Sequence, residues 1–145
     1  MERDTERQSS FFRFEDLRIY HKALLYITWV QNATSLFPES EKDCMTIPFL
    51  KSAQAIALNI AEGSARNKNQ FIYYLKMAKS SVRECVVYTE MVKNLKLINE
   101  DVEEDSRNHL MELTKMIGAL IASLQRSGHK SETPDPDKVV KEEEE

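Results

Sequence analysis

Asn59, Glu62 and Arg66 are spaced three and four apart, and Ser81 and Glu84 repeat the spacing of three further along. On a helix such steps put side chains on one face. A guanidinium between two carboxylates there could bind an anion or serve a reacting group. The same residues could instead form a lock, tying the turn near Gly63 to the next helix by hydrogen-bonded ion pairs. No nucleophile or metal-ligand set accompanies them, so the lock is the expectation. Histidine offers no stronger case. A carboxylate-bridged metal site in a helical bundle needs Glu-x-x-His on two helices. Positions 18 and 106, three before His21 and His109, are Arg18 and Ser106, and His129 lies in the acidic C-terminal stretch. Cys-x-x-Cys, a glycine-rich phosphate loop and Gly-x-Ser-x-Gly are all missing from the sequence. These readings give no catalytic residue, no metal and no cofactor.

A second grouping is basic. Between Arg66 and Lys96 seven basic residues stand against Glu84 and Glu90, a net +5, whereas Glu100–Glu112 holds six acids against Arg107, a net −5. Lys76, Lys79, Arg83 and Lys93 fall on one helical face, interrupted by Glu90, with Arg66 and Lys68 near that helix's start. Such a row could follow a phosphate backbone, each neutralised phosphate steepening the salt dependence of binding. A solvated helix face, or one meeting the acidic stretch of a neighbouring copy, has the same composition. No aromatic residues cluster among these lysines, which argues against a stacking platform for single strands.

Four helical segments position these residues. The first spans about 15–36, with Ile19, Ala23, Tyr26, Val30, Ala33 and Phe37 on one row and Tyr20, Leu24 and Ile27 beside it. This apolar arc is wider than one buried stripe requires. Tyr20, Tyr26 and Trp29 therefore read as a contact between subunits, the alternative being that Trp29 covers a core edge; on the first reading Trp29→Ala lowers the subunit count. The second spans about 47–62, with Thr46 as its cap, Pro48 in the first turn and Gly63 in a left-handed closing position. The third, about 70–95, carries Phe71, Leu75, Ala78, Val82, Cys85, Thr89 and Val92 in 4-3-4-3-4-3 steps. The fourth, about 100–124, follows Asn99 as cap and opens with Glu100, Asp101 and Glu103. Short links make successive helices antiparallel. The sequence thus predicts an all-α, up-down-up-down antiparallel four-helix bundle.

Composition agrees. The 145 residues contain only 3 glycines and 4 prolines, too few for the tight turns of a β-rich fold. The longest apolar runs, 116–122 and 23–30, fall far short of the ~20 residues of a membrane span. Neither a secretory signal nor a transit peptide is recognisable at the polar start, and Cys44 and Cys85 read as reduced, so the expected location is cytoplasmic. The net charge of −4 resides in the ends: residues 127–145 carry −4, residues 1–10 carry −1 and the body +1. The expected organisation is a flexible arm (1–13), a bundle (14–126) and a disordered acidic tail (127–145).

Several motifs in the body are specific. They are Phe14-Glu15-Asp16-Leu17, Phe37-Pro38-Glu39-Ser40-Glu41, Asn59-Ile60-Ala61-Glu62-Gly63 followed by Arg66, and Phe71, Leu75, Ala78, Ser81 and Glu84. From Phe14 to about Ala122 the sequence resembles the bacterial 23S rRNA intervening-sequence proteins. The resemblance implies a four-helix bundle assembled as a ring-like homopentamer, with members not known as enzymes. More distantly similar bundles are accessory proteins of diversity-generating retroelements, which bind a reverse transcriptase and nucleic acid. The chain departs from the pattern at Ala55-Ile56-Ala57, where the family often has Ser-Ile-Pro, at Leu50-Lys51-Ser52, where it often has adjacent arginines, and at Ser80, where it has Gly. A basic surface on helix two is thereby weakened.

Together these readings predict a non-enzymatic homo-oligomer, pentameric by resemblance, that binds RNA or DNA, structured RNA foremost, through Arg66, Lys68, Lys76, Lys79, Arg83 and Lys93. The competing expectation is an interaction scaffold that docks a partner such as a reverse transcriptase.

Overall fold

The computed structural model describes residues 10–129; the outer parts of the expected arm and tail, 1–9 and 130–145, lie outside the described residues. Four helices form: α1 (Arg18–Thr34), α2 (Ile47–Ser64), α3 (Lys68–Asn94) and α4 (Glu100–His129). Each packs on its sequence neighbour, and α1 packs on α4, closing the antiparallel bundle. Among the described residues there is no strand, and no helix is long and apolar enough to cross a membrane.

The expected seam of α3 is the centre of the core: Phe71, Leu75, Ala78, Val82, Cys85, Thr89 and Val92 are all buried. Its one polar member is fully satisfied. The Thr89 hydroxyl donates to the Cys85 carbonyl at 2.7 Å and lies 2.8 Å from the Ser106 hydroxyl, which lies 2.8 Å from that of Tyr26. This chain crosses α3, α4 and α1. It also shows that Tyr26, with no exposed surface, belongs to the core of the bundle and not to the contact between subunits expected from the sequence. Burial, together with the nearby Cys85, raises the phenol pKa of Tyr26, and burial pushes the Cys85 thiol up to about 12.

Both ends of α2 differ from the sequence expectation. Thr46 is not a cap: its backbone is helical (φ −61°, ψ −53°), and a wide π-type turn, Lys42–Thr46, runs straight into α2. Pro48 has no N–H to offer the carbonyl four residues back, which loosens the turn that precedes it. Gly63 is not left-handed but lies within α2. A Cβ there would stand 2.6 Å from the Tyr74 Cβ and 3.0 Å from Phe71 Cδ1, so glycine is required by the close approach of α2 to α3. The left-handed closure occurs at Lys96 (φ 64°) after α3, where the Leu97 N–H reaches the Val92 carbonyl at 2.9 Å. Asn99 does cap α4, accepting from the Val102 N–H at 2.9 Å.

The bundle's contacts begin before Phe14. Arg13, at the end of the expected arm, donates to the Ser64 carbonyl at 3.0 Å and sits over the Phe71 ring. At the other end α4 continues to His129, past the point where its apolar pattern fades.

Candidate nucleic-acid interface

α3 positions the basic row. Asn67 fixes its start by accepting a hydrogen bond from the Gln70 N–H at 2.9 Å, a cap just ahead of the apolar periodicity. At 100° per residue, Lys68, Lys79, Arg83 and Lys76 fall within about 80° of arc on the side toward α4. Arg83 is exposed and Lys68, Lys76 and Lys79 are half-buried. Arg83 also donates to the Ser80 hydroxyl at 3.2 Å.

Lys93 does not extend this row as an independent charge. Its ammonium lies 3.4 Å from Glu103, which Arg107 also approaches at 3.2 Å. Desolvation pushes the Glu103 carboxyl up, but hydrogen bonds from Arg107 and Lys93 outweigh it and hold the group below the ordinary carboxylate value. The C-terminal end of the basic row thus meets the acidic start of α4 within the same chain. Arg66 sits apart at the end of α2. It pairs with Glu62 through Nε at 3.0 Å and lies 5.4 Å over the Tyr74 ring.

The expected five-residue lock is two separate ties. Arg66 reaches α3 through the Tyr74 ring, not through Glu84, which is ten residues and about 15 Å further along the helix. Glu84 instead accepts from the Ser52 hydroxyl at 2.9 Å. The Asn59 amide donates to the Ala55 carbonyl of its own helix at 2.9 Å, and Ser81 is buried. His21 bonds the Glu15 carbonyl at 2.7 Å, and His109 packs against the Tyr26 and Trp29 rings. Among the described residues no three His, Cys, Asp or Glu side chains converge as metal ligands.

The other aromatic residues assigned to a subunit contact are largely used inside the chain. Trp29 is half-buried and stacks on Tyr26 at 5.7 Å between centroids, covering the core edge. Tyr20 is half-buried with its ring edge against Phe14 at 4.9 Å. Exposed apolar surface lies elsewhere. On the back of α3, Tyr73, Met77, Ser80, Glu84, Val87 and Met91 step 4-3-4-3-4 beside the basic row, with Tyr73 57% and Val87 56% exposed. A shallow groove of about 370 Å³ between α1 and α2 is lined by Phe14, Tyr20, Leu24, Ile27, Ala57 and Leu58. The α3 strip was visible as a second 4-3 series, hidden by the stronger one.

A family model for the 23S rRNA-intervening sequence protein matches residues 15–119. The chain belongs to that family. Family membership thus covers all of α1–α3 and most of α4. A solved structure from Bacteroides thetaiotaomicron VPI-5482, described as a protein with unknown function from the S23 ribosomal protein family, superposes with a TM-score of 0.66. It is 23% identical, the match covering 72% of this chain and 95% of that one, and so supports the fold. Among curated proteins there is no significant match.

Proposed function

We propose that this family member is a non-enzymatic, cytoplasmic homo-oligomer, a pentamer by family resemblance, that binds structured RNA through the basic side of α3. The observation that carries the reading is the division of the outer surface of α3 into two strips. One is basic, around Lys68, Lys76, Lys79 and Arg83; the other is apolar, around Tyr73, Met77, Val87 and Met91. Apolar side chains this exposed in a row favour a protein contact. Seating a second copy on that strip would set basic strips from neighbouring subunits near one another, and weak phosphate contacts would add through effective concentration.

The test is the mass of the purified assembly by light scattering together with its ratio of absorbance at the nucleic-acid and protein maxima. An assembly of several subunits carrying nucleic acid that high salt removes supports the reading. A monomer free of nucleic acid contradicts it. The alternative, a scaffold that docks a partner such as a reverse transcriptase, would use the same apolar strip; an oligomer that binds no RNA at low salt favours it.

A further inference from the structure

The antiparallel order of the helices sorts charge along the bundle axis in a way the linear sequence conceals. Contacts define two halves. Arg13 with Ser64, and Gly63 with Tyr74, mark the half holding the start of α1, the end of α2, the start of α3 and the end of α4. Tyr26 with Ser106, Lys93 with Glu103 and Ser52 with Glu84 mark the other. Residues 11–19, 56–81 and 114–126, in the first half, carry eight basic and three acidic residues, net +5. Residues 20–55 and 82–113, in the second, carry seven basic and eleven acidic residues, net −4. The near-neutral body is therefore electrically polarised from end to end.

The chain leaves α4 at the positive end. Beyond His129, residues 130–145 carry three basic and seven acidic residues and finish on Glu142–Glu145. We infer that this acidic C-terminal segment docks on the positive half of its own bundle, over the start of α3 and the neighbouring end of α4. Sixteen residues span up to about 50 Å when extended, and the first half of α3 is only about 20 Å long, so reach is ample. Opposite net charges of similar size at short separation favour the contact, and salt weakens it. The segment would then occupy part of the surface assigned to RNA and compete with it. That competition rests on the proposed function; the docking does not.

Two arms separate them. In the first, zero-length carbodiimide coupling of the full chain at low ionic strength is followed by peptide mass spectrometry. Amide links from the 132–145 carboxylates to Lys68, Lys76, Lys79 or Lys115, lost in 0.5 M salt as about a threefold shorter screening length requires, are expected. Links confined to other lysines, or none, overturn the docking. In the second, a fluorescent RNA hairpin is titrated against the wild type and a full-length variant carrying Glu142→Gln, Glu143→Gln, Glu144→Gln and Glu145→Gln. The variant is expected to bind several-fold tighter at low salt and equally at high salt. Equal affinity at all salts overturns the docking on the RNA surface. RNA binding by neither protein, with the links present, supports the docking and sinks the nucleic-acid reading.

Discussion

The front and back of α3 follow the same spacing and meet opposite fates. The front series, Phe71 to Val92, is buried throughout, while the back series, Tyr73 to Met91, leaves Tyr73, Met77, Val87 and Met91 exposed. Both are heptad-like, so spacing alone does not decide which seam a bundle closes on. The composition of the steps decides it. The front has Ala78 and Val82 at its centre, where the back has Ser80 and Glu84, and a carboxylate cannot enter an apolar core unpaired. The front makes the fold; the back leaves an apolar strip exposed beside the basic one.

Substitutions should separate the two sides in that order of severity. Leu75→Ala empties a fully buried site and should cost about 3 kcal/mol in chemical denaturation. Val87→Ser, on the back, should leave helical circular dichroism unchanged and lower the assembly mass; loss of folding on a par with Leu75→Ala would erase the distinction. Gly63→Ala, where α2 crosses α3, places a Cβ 2.6 Å from the Tyr74 Cβ and should cost about 1–3 kcal/mol as the helices move apart.

Alkali should act on the buried core behind the front. The Cys85 thiol is raised from 9.0 to about 12 by burial. A group raised in the folded state contributes its stability in full below the unfolded value and loses it as pH rises toward the folded one. Melting temperature should therefore fall between pH 9 and 12, Tyr26 adding in the same direction. At pH 8 a thiol reagent should label exposed Cys44 while buried Cys85 stays unreactive until unfolding. Smallest, and opposite in sign, is Lys96→Gly: relieving the left-handed backbone at φ 64° should stabilise by about 0.5–1 kcal/mol.

Much of this architecture was legible in the residues. The four helices, the α3 seam and the Asn99 cap follow from periodicity and local hydrogen-bonding chemistry, which are short-range. The misreadings share a different origin. Gly63 serves a neighbouring helix, not its own end, and Tyr26 spends its hydroxyl on Ser106 inside the core. Arg66 and Glu84 face the same helix pair at different heights. Each depends on which residues of other helices arrive alongside, and helix register is not written in the spacing of one segment. The pairing of Lys93 with Glu103 is of the same kind.

The central claim is that the basic side of α3 binds RNA. It is tested most directly by an anisotropy titration of a labelled RNA hairpin at several salt concentrations, comparing wild type with Lys76→Gln, Lys79→Gln, Arg83→Gln. The account predicts tight, salt-dependent binding by the wild type. In the variant the slope of log affinity against log salt should be shallower by roughly 0.7–0.9 for each lost phosphate contact. Wild-type protein that fails to bind at low salt, or a variant with unchanged affinity and slope, would contradict it.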